Sequence, residues 1–153
     1  MPTPSTDYVA VLSDLVTAQM QQFDAVDRRL RTELDLLLIE LLPMRLIDAT
    51  PECRVQELAA GLGLTVGGAS KSVDRLERRG WVERAAHPRD RRSSILLLTQ
   101  AGSEVLARGN HVASEEVEQR LRRALDATEI VAFSDALSQL RAANDDTRDD
   151  TTV

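Results

Sequence analysis

The residues best suited to chemistry lie between Thr65 and Arg92. Placed at about 100° per residue, Ala69, Val73 and Leu76 share one face of a helix from Val66 to Arg79. The opposite face carries Gly67, Lys71, Asp74 and Arg78, flanked by Ser70 and Arg75. Small residues thus stand at the N-terminal end of an outward face that carries cations along its length. Such a face suits the major groove of duplex DNA, where the first residues of a recognition helix touch base edges. Gly67 and Gly68 let the backbone come close. Lys71 can donate to guanine acceptors or to a phosphate, and Ser70 is a short donor for either. Thr65 and the first-turn amides can hold a phosphate, and Arg75 and Arg78 are better placed for phosphates than for bases. A second cluster, Arg89, Asp90, Arg91 and Arg92, crowds a turn. Asp90 precedes Arg92 by two residues and can orient its guanidinium. A fixed arginine at a loop tip suits a narrow, A·T-rich minor groove. Each stretch taken alone also reads as an ordinary solvated surface.

The net charge of −6 is unusual for a partner of a polyanion. Its distribution resolves the difficulty. From Arg54 to Arg92 nine basic residues meet five acidic ones, a balance of +4, which leaves −10 for the remainder. A local basic field attracts a polyanion whatever the total. No apolar run approaches 18 residues, and the N-terminus lacks the basic and apolar regions of a signal peptide. One cysteine, Cys53, rules out an internal disulfide framework, so a cytoplasmic protein is expected. Aromatic residues make up 3%, which favours helices over sheet.

The elements that position these residues can be read in order. Tyr8 to Leu30 is a helix with Leu12, Val16, Met20, Phe23, Val26 and Leu30 on one stripe. Leu34 to Ile47 is almost wholly apolar and should be a central, buried helix. Thr32 with Asp35 resembles a capping box. Pro43 predicts either a kink or a helix that starts later than Thr32. A short helix carries Val55, Leu58, Ala59 and Leu62, and Gly61 and Gly63 break it. Thr65 caps the next helix, and Gly80 ends it. Two short helices with a tight glycine-containing turn outline a helix-turn-helix. Trp81–Arg84 and Ser94–Leu98 form a hairpin around a turn-like His87–Asp90. Thr99 caps a long helix to about Leu125. Asp126 and Glu129 cap a last one, with Ile130, Phe133, Leu137 and Leu140 as its stripe. Residues 144–153 should be a disordered acidic tail.

The run CRVQELAAGLGLTVGGASKSVDRLERRGWVERAAHPRDRRSSILLLTQAG, Cys53 to Gly102, resembles the MarR (multiple-antibiotic-resistance regulator) family. The matching pieces are Glu57-Leu58-Ala59, Ser70-Lys71, Val73 to Glu77, Gly80-Trp81-Val82, Asp90-Arg91-Arg92, Leu98-Thr99 and Gly102. The resemblance implies a mainly α fold: a winged helix-turn-helix with a small β-hairpin wing, plus N- and C-terminal dimerisation helices. It implies a homodimeric, sequence-specific transcriptional regulator, a repressor relieved by a small molecule or an oxidant. It also implies that Ser70 and Lys71 lie in the major groove, that Arg92 enters the minor groove and that Asp90 supports it. Three departures stand out. Gly67-Gly68 replaces larger or hydroxyl residues, so base preference does not carry over. The helix near Gln56 lacks a Ser/Thr cap. The first helix lacks the cysteine of oxidant-sensing members.

The expected organisation is one domain over 1–153, with dimerisation helices at 8–30 and 126–143 and the winged helix-turn-helix at 54–99. Leu12, Val16 and Phe23 at one end, and Ile130, Phe133, Leu137 and Leu140 at the other, would be buried between two copies. A two-fold dimer matches a palindromic operator in double-stranded DNA. The family's ligand pocket would be lined by the first two helices and the start of the long one. These offer few polar handles, which favours a small apolar or aromatic effector. Cys53 reads as an inert loop thiol rather than a redox switch. His87 and His111 lack metal-ligand spacing, so no metal and no cofactor are expected. No nucleophile–base pairing or phosphate-cradling loop points to an enzyme. The competing classes are a winged helix that binds protein and an architectural DNA-binding module without effector control.

Overall fold

A computed structural model describes residues 6–87 and 89–149, with side chains for all of these except 90–92 and 145–149. Helices α1 (Tyr8–Leu34), α2 (Leu38–Ala49), α3 (Val55–Leu62) and α4 (Val66–Arg78) come first. An antiparallel pair, β1 (Val82–His87) and β2 (Asp90–Leu98), follows, then α5 (Gln100–Leu121) and α6 (Ala127–Asp149). The chain divides into two compact units, 1–114 and 115–153, and α5 crosses from one to the other.

In the first unit α2 is central, as its composition predicts. Leu38, Leu41, Met44 and Ile47 are buried, together with Leu36 from the preceding link. Burial is not all-round, however, because Ile39 and Leu42 are exposed. α2 starts later than Thr32, at Leu38, and Pro43 lies inside it. The Thr32–Asp35 capping box does not form. Thr32 Oγ1 instead donates to the Arg28 carbonyl, and Asp35 ends α1 in the left-handed region at φ 50°. The start of α2 is capped from elsewhere: Glu40 accepts from Leu37 N–H at 3.0 Å, and Asp27 accepts from Leu38 N–H at 2.8 Å. α1 divides along its length. Val26 and Leu30 enter the core, whereas Leu12, Val16 and Met20 remain exposed.

The wing is longer than the sequence suggested. Val82 pairs with Leu98 and the register runs on to Ala86–Ser94, with an irregularity before His87–Asp90. Residues 90–92 therefore belong to β2 rather than to a loop. Asp90 pairs with His87, and residues 91–93 span the irregularity in the register. Thr99 joins wing and long helix. Its hydroxyl donates to the Gly80 carbonyl at 2.7 Å and accepts from Gly102 N–H at 3.0 Å.

In the second unit the Asp126–Glu129 box forms in full. Asp126 Oδ1 accepts from the amides of Thr128 and Glu129, and Glu129 accepts from Asp126 N–H. Two ends differ from expectation. α5 stops at Leu121 instead of Leu125, in a turn over 122–124 that leads into the Asp126 cap. α6 continues past Asn144 to Asp149, where a disordered tail was expected. No glycine or proline interrupts it, and extending a formed helix is easier than starting one. Residues 150–153 lie outside the described residues.

Candidate nucleic-acid interface

α4 is built as its pattern requires. Ala69, Val73 and Leu76 are completely buried, against α3, α2 and β1, with Leu58 and Ala59 of α3 buried in the same core. Thr65 Oγ1 accepts from Gly68 N–H at 3.0 Å and fixes the first turn. Gly80 follows α4 at φ 71°, a conformation that a Cβ disfavours. Gly63 ends α3 in the same way at φ 66°. α3 lacks a hydroxyl cap, as expected, and Glu57 compensates by accepting from Arg54 N–H at 3.0 Å.

The outward face of α4 carries the predicted residues. Gly67, Lys71, Asp74 and Arg78 are exposed, and Ser70 and Arg75 are half-buried beside them. The two glycines differ in kind. A Cβ on Gly67 would meet nothing within 4 Å, so the fold does not require glycine there. A Cβ on Gly68 would stand 3.2 Å from the capping Thr65 Oγ1, which would have to give by a few tenths of an ångström.

Sequence reasoning missed how the acidic residues of α4 are neutralised. Arg84 of β1 donates to Asp74 at 2.7 Å and to Glu77 at 3.0 Å. One guanidinium offsets one of the two carboxylate charges of α4, so that Lys71, Arg75 and Arg78 outweigh what remains. It also ties the wing to the helix. Arg79 makes a second tie, donating to Asp35 at the end of α1 while stacking 4.1 Å from the Trp81 ring centre. These partners are separated by 44 and 7–10 residues, and no local pattern announces them.

At the wing, Arg89 does not stand alone. Its guanidinium donates to both Glu52 oxygens at 3.1 and 3.2 Å, and its backbone N–H donates to His87 Nδ1 at 3.1 Å. The hydrogen bond from Arg89 holds the Glu52 carboxyl below its ordinary pKa, against the opposing effect of desolvation. The side chains of Asp90, Arg91 and Arg92 lie outside the described residues.

Cys53 is fully buried, and burial pushes its thiol pKa up, with Glu57 adding to the effect. A reactive thiol needs the opposite environment. A cavity of about 260 Å³ on α1 is lined by Asp24, Asp27, Arg28, Arg31 and Thr32, a charged lining rather than the apolar one expected around an effector. No described helix is long and apolar enough to cross a membrane.

Comparison with known proteins places this arrangement. The family model described as the MarR family matches residues 34–93. The multiple antibiotic resistance protein MarR of Escherichia coli (strain K12) is 29% identical over 84 residues, 55% of this chain and 58% of that protein. The HTH-type transcriptional regulator BilQ of Clostridium symbiosum is 35% identical over 69 residues, 45% of this chain and 48% of that protein. The chain thus matches about half the length of these relatives. Among solved structures, the transcriptional repressor CouR bound to a 23-mer DNA duplex is 30% identical with a TM-score of 0.74, covering 83% of this chain and 89% of that one. Sco3205 of Streptomyces coelicolor, a MarR family transcriptional regulator in complex with DNA, is 25% identical with a TM-score of 0.77, covering 94% and 91%. On the order of its elements, its residue pattern and these likenesses, the chain belongs to the MarR family.

Proposed function

We propose that this protein is a homodimeric, sequence-specific DNA-binding regulator of transcription, acting as a repressor relieved by a small ligand. The observation that carries the reading is the outward face of α4. Its acidic residues are both engaged by Arg84, Lys71 and Arg78 are exposed with Arg75 half-buried beside them, and its N-terminal end is open at Gly67. Fold and face together suit insertion of α4 into the major groove. Similarity to two regulators solved on DNA supports the same reading. Ser70 and Lys71 would read base edges. Thr65 keeps a hydroxyl hydrogen for a phosphate, and Arg75 and Arg78 would add phosphate contacts. Arg91 and Arg92 would reach the minor groove from β2, with Asp90 supporting Arg92.

Exposed apolar residues on α1 and α6 support a dimer. Leu12 is 58% exposed, Val16 47%, Phe133 42% and Leu140 47%, with Phe23, Ile130 and Leu137 half-buried. Ile39 and Leu42, left exposed on α2, offer apolar surface for an apolar or aromatic effector. A regulator of this kind would work in the cytoplasm, where the DNA is.

Alanine variants test the assignment. Lys71→Ala should lose binding to a selected site more than to random duplex, by about 1–3 kcal/mol of discrimination. Arg92→Ala should lose about as much, concentrated at A·T-rich positions. Equal losses on every sequence would instead indicate phosphate contacts alone, as in an architectural DNA-binding protein.

A further inference from the structure

Three consecutive residues between α2 and α3 hold the wing from below. Glu52 adopts φ 51°, a left-handed conformation that a non-glycine residue keeps only when its surroundings fix it. Its carboxylate receives the Arg89 guanidinium at 3.1 and 3.2 Å and lies 3.3 Å from His87 Nε2. The His87 side chain is only 6% exposed and accepts the Arg89 N–H on its other nitrogen. Next to Glu52, the Cys53 carbonyl accepts from Leu96 N–H of β2 at 2.7 Å. The Arg54 guanidinium stands 3.0 Å from His87 Nε2. Residues 52–54 therefore touch both strands of the wing, one close to its turn and the other near its base.

Resting on the DNA-binding reading above, we propose that Glu52 is a positioning residue for the wing. It holds Arg89 and His87 so that β1 and β2 meet DNA at a fixed angle, and Arg89 acts as the strap of this clamp rather than as a phosphate contact. Glu52 takes one terminal nitrogen of Arg89 and offsets its charge, which weakens its pull on a phosphate.

The full-length chain carries the test, with two readouts. Amide hydrogen exchange at Arg89 and along β2 reports the clamp without DNA, and titration of a selected duplex reports its consequence. Glu52→Gln should speed exchange and weaken DNA binding about two- to five-fold, the range of an exposed ion pair. Arg89→Glu should do at least as much. The charge-swapped double variant, Glu52→Arg with Arg89→Glu, should restore both. Restored exchange without restored binding would make Arg89 itself the DNA contact and overturn the proposal. Unchanged exchange in Glu52→Gln would overturn it as well. If the wild-type chain preferred no duplex, the regulator reading would fall, while the exchange result would still decide whether the clamp exists.

Discussion

At the scale of single residues, the site depends on which charges are already paired. Lys71 is the only lysine of the chain and projects from a face whose carboxylates are engaged by Arg84. Glu52 shows the same logic in a titration. Its carboxyl is held below the ordinary value of 4.5 because Arg89 stabilises the charged form. A lowered folded-state pKa contributes stability that is complete above pH 4.5 and lost as pH falls through the lowered value. The side-chain carboxyl carbon of Glu52, followed by NMR, should therefore titrate with a midpoint below 4.5 in the wild type and return towards it in Arg89→Ala. A wild-type midpoint at or above 4.5 would mean that the pair does not form in solution. Cys53 is the converse case. Its complete burial raises the thiol pKa, the direction that disfavours the reactive thiolate.

At the scale of elements, glycines mark where backbones meet. A Cβ on Gly102 would stand 1.9 Å from the Trp81 carbonyl oxygen, at the junction of wing and α5. That oxygen is fixed, because it accepts from Thr99 N–H at 3.0 Å. Gly102→Ala should destabilise the chain by about 3 kcal/mol in urea unfolding. Gly67→Ala, with open space around it, should instead be neutral or stabilise by up to about 1 kcal/mol, since alanine is the better helix former. Similar unfolding midpoints for the two variants would contradict the packing described. The same scale shows what the sequence could disclose. Thr65, Gly80, Thr99 and the Asp126–Glu129 box are caps whose partners lie within a turn, and all were legible. The Thr32–Asp35 box was misread because the start of α2 is capped by Asp27, eleven residues upstream of Leu38, and by Glu40. The wing was read short because its outer half is held by pairing, which composition does not record. Arg84 and Glu52 were invisible as site residues because their partners are distant in sequence.

At the scale of the whole molecule, α1 and α6 carry apolar surface that neither unit covers by itself. Over its first four turns α1 exposes Tyr8, Val9, Val11, Leu12, Leu15, Val16 and Met20, although Val26 and Leu30 of the same helix are core. A second copy is the economical cover, and two-fold symmetry would place two α4 helices for successive major grooves. Light scattering should give twice 16.9 kDa for the wild type and 16.9 kDa for Leu12→Glu combined with Val16→Glu. A monomeric wild type would remove the geometric reason for a palindromic site. The charge distribution belongs to this scale as well. Residues 54–92 carry +4 and the remainder −10, which concentrates any attraction for a polyanion on the segment of helix and wing.

Selection from random duplex DNA, followed by titration of the enriched site at two salt concentrations, tests the central claim most directly. The account predicts a palindrome with half-sites about one helical turn apart, bound roughly 10³-fold or more tighter than random sequence, with affinity falling as salt rises. Absence of enrichment, or equal affinity for every duplex, would contradict it and leave a winged helix that shapes DNA or binds another protein.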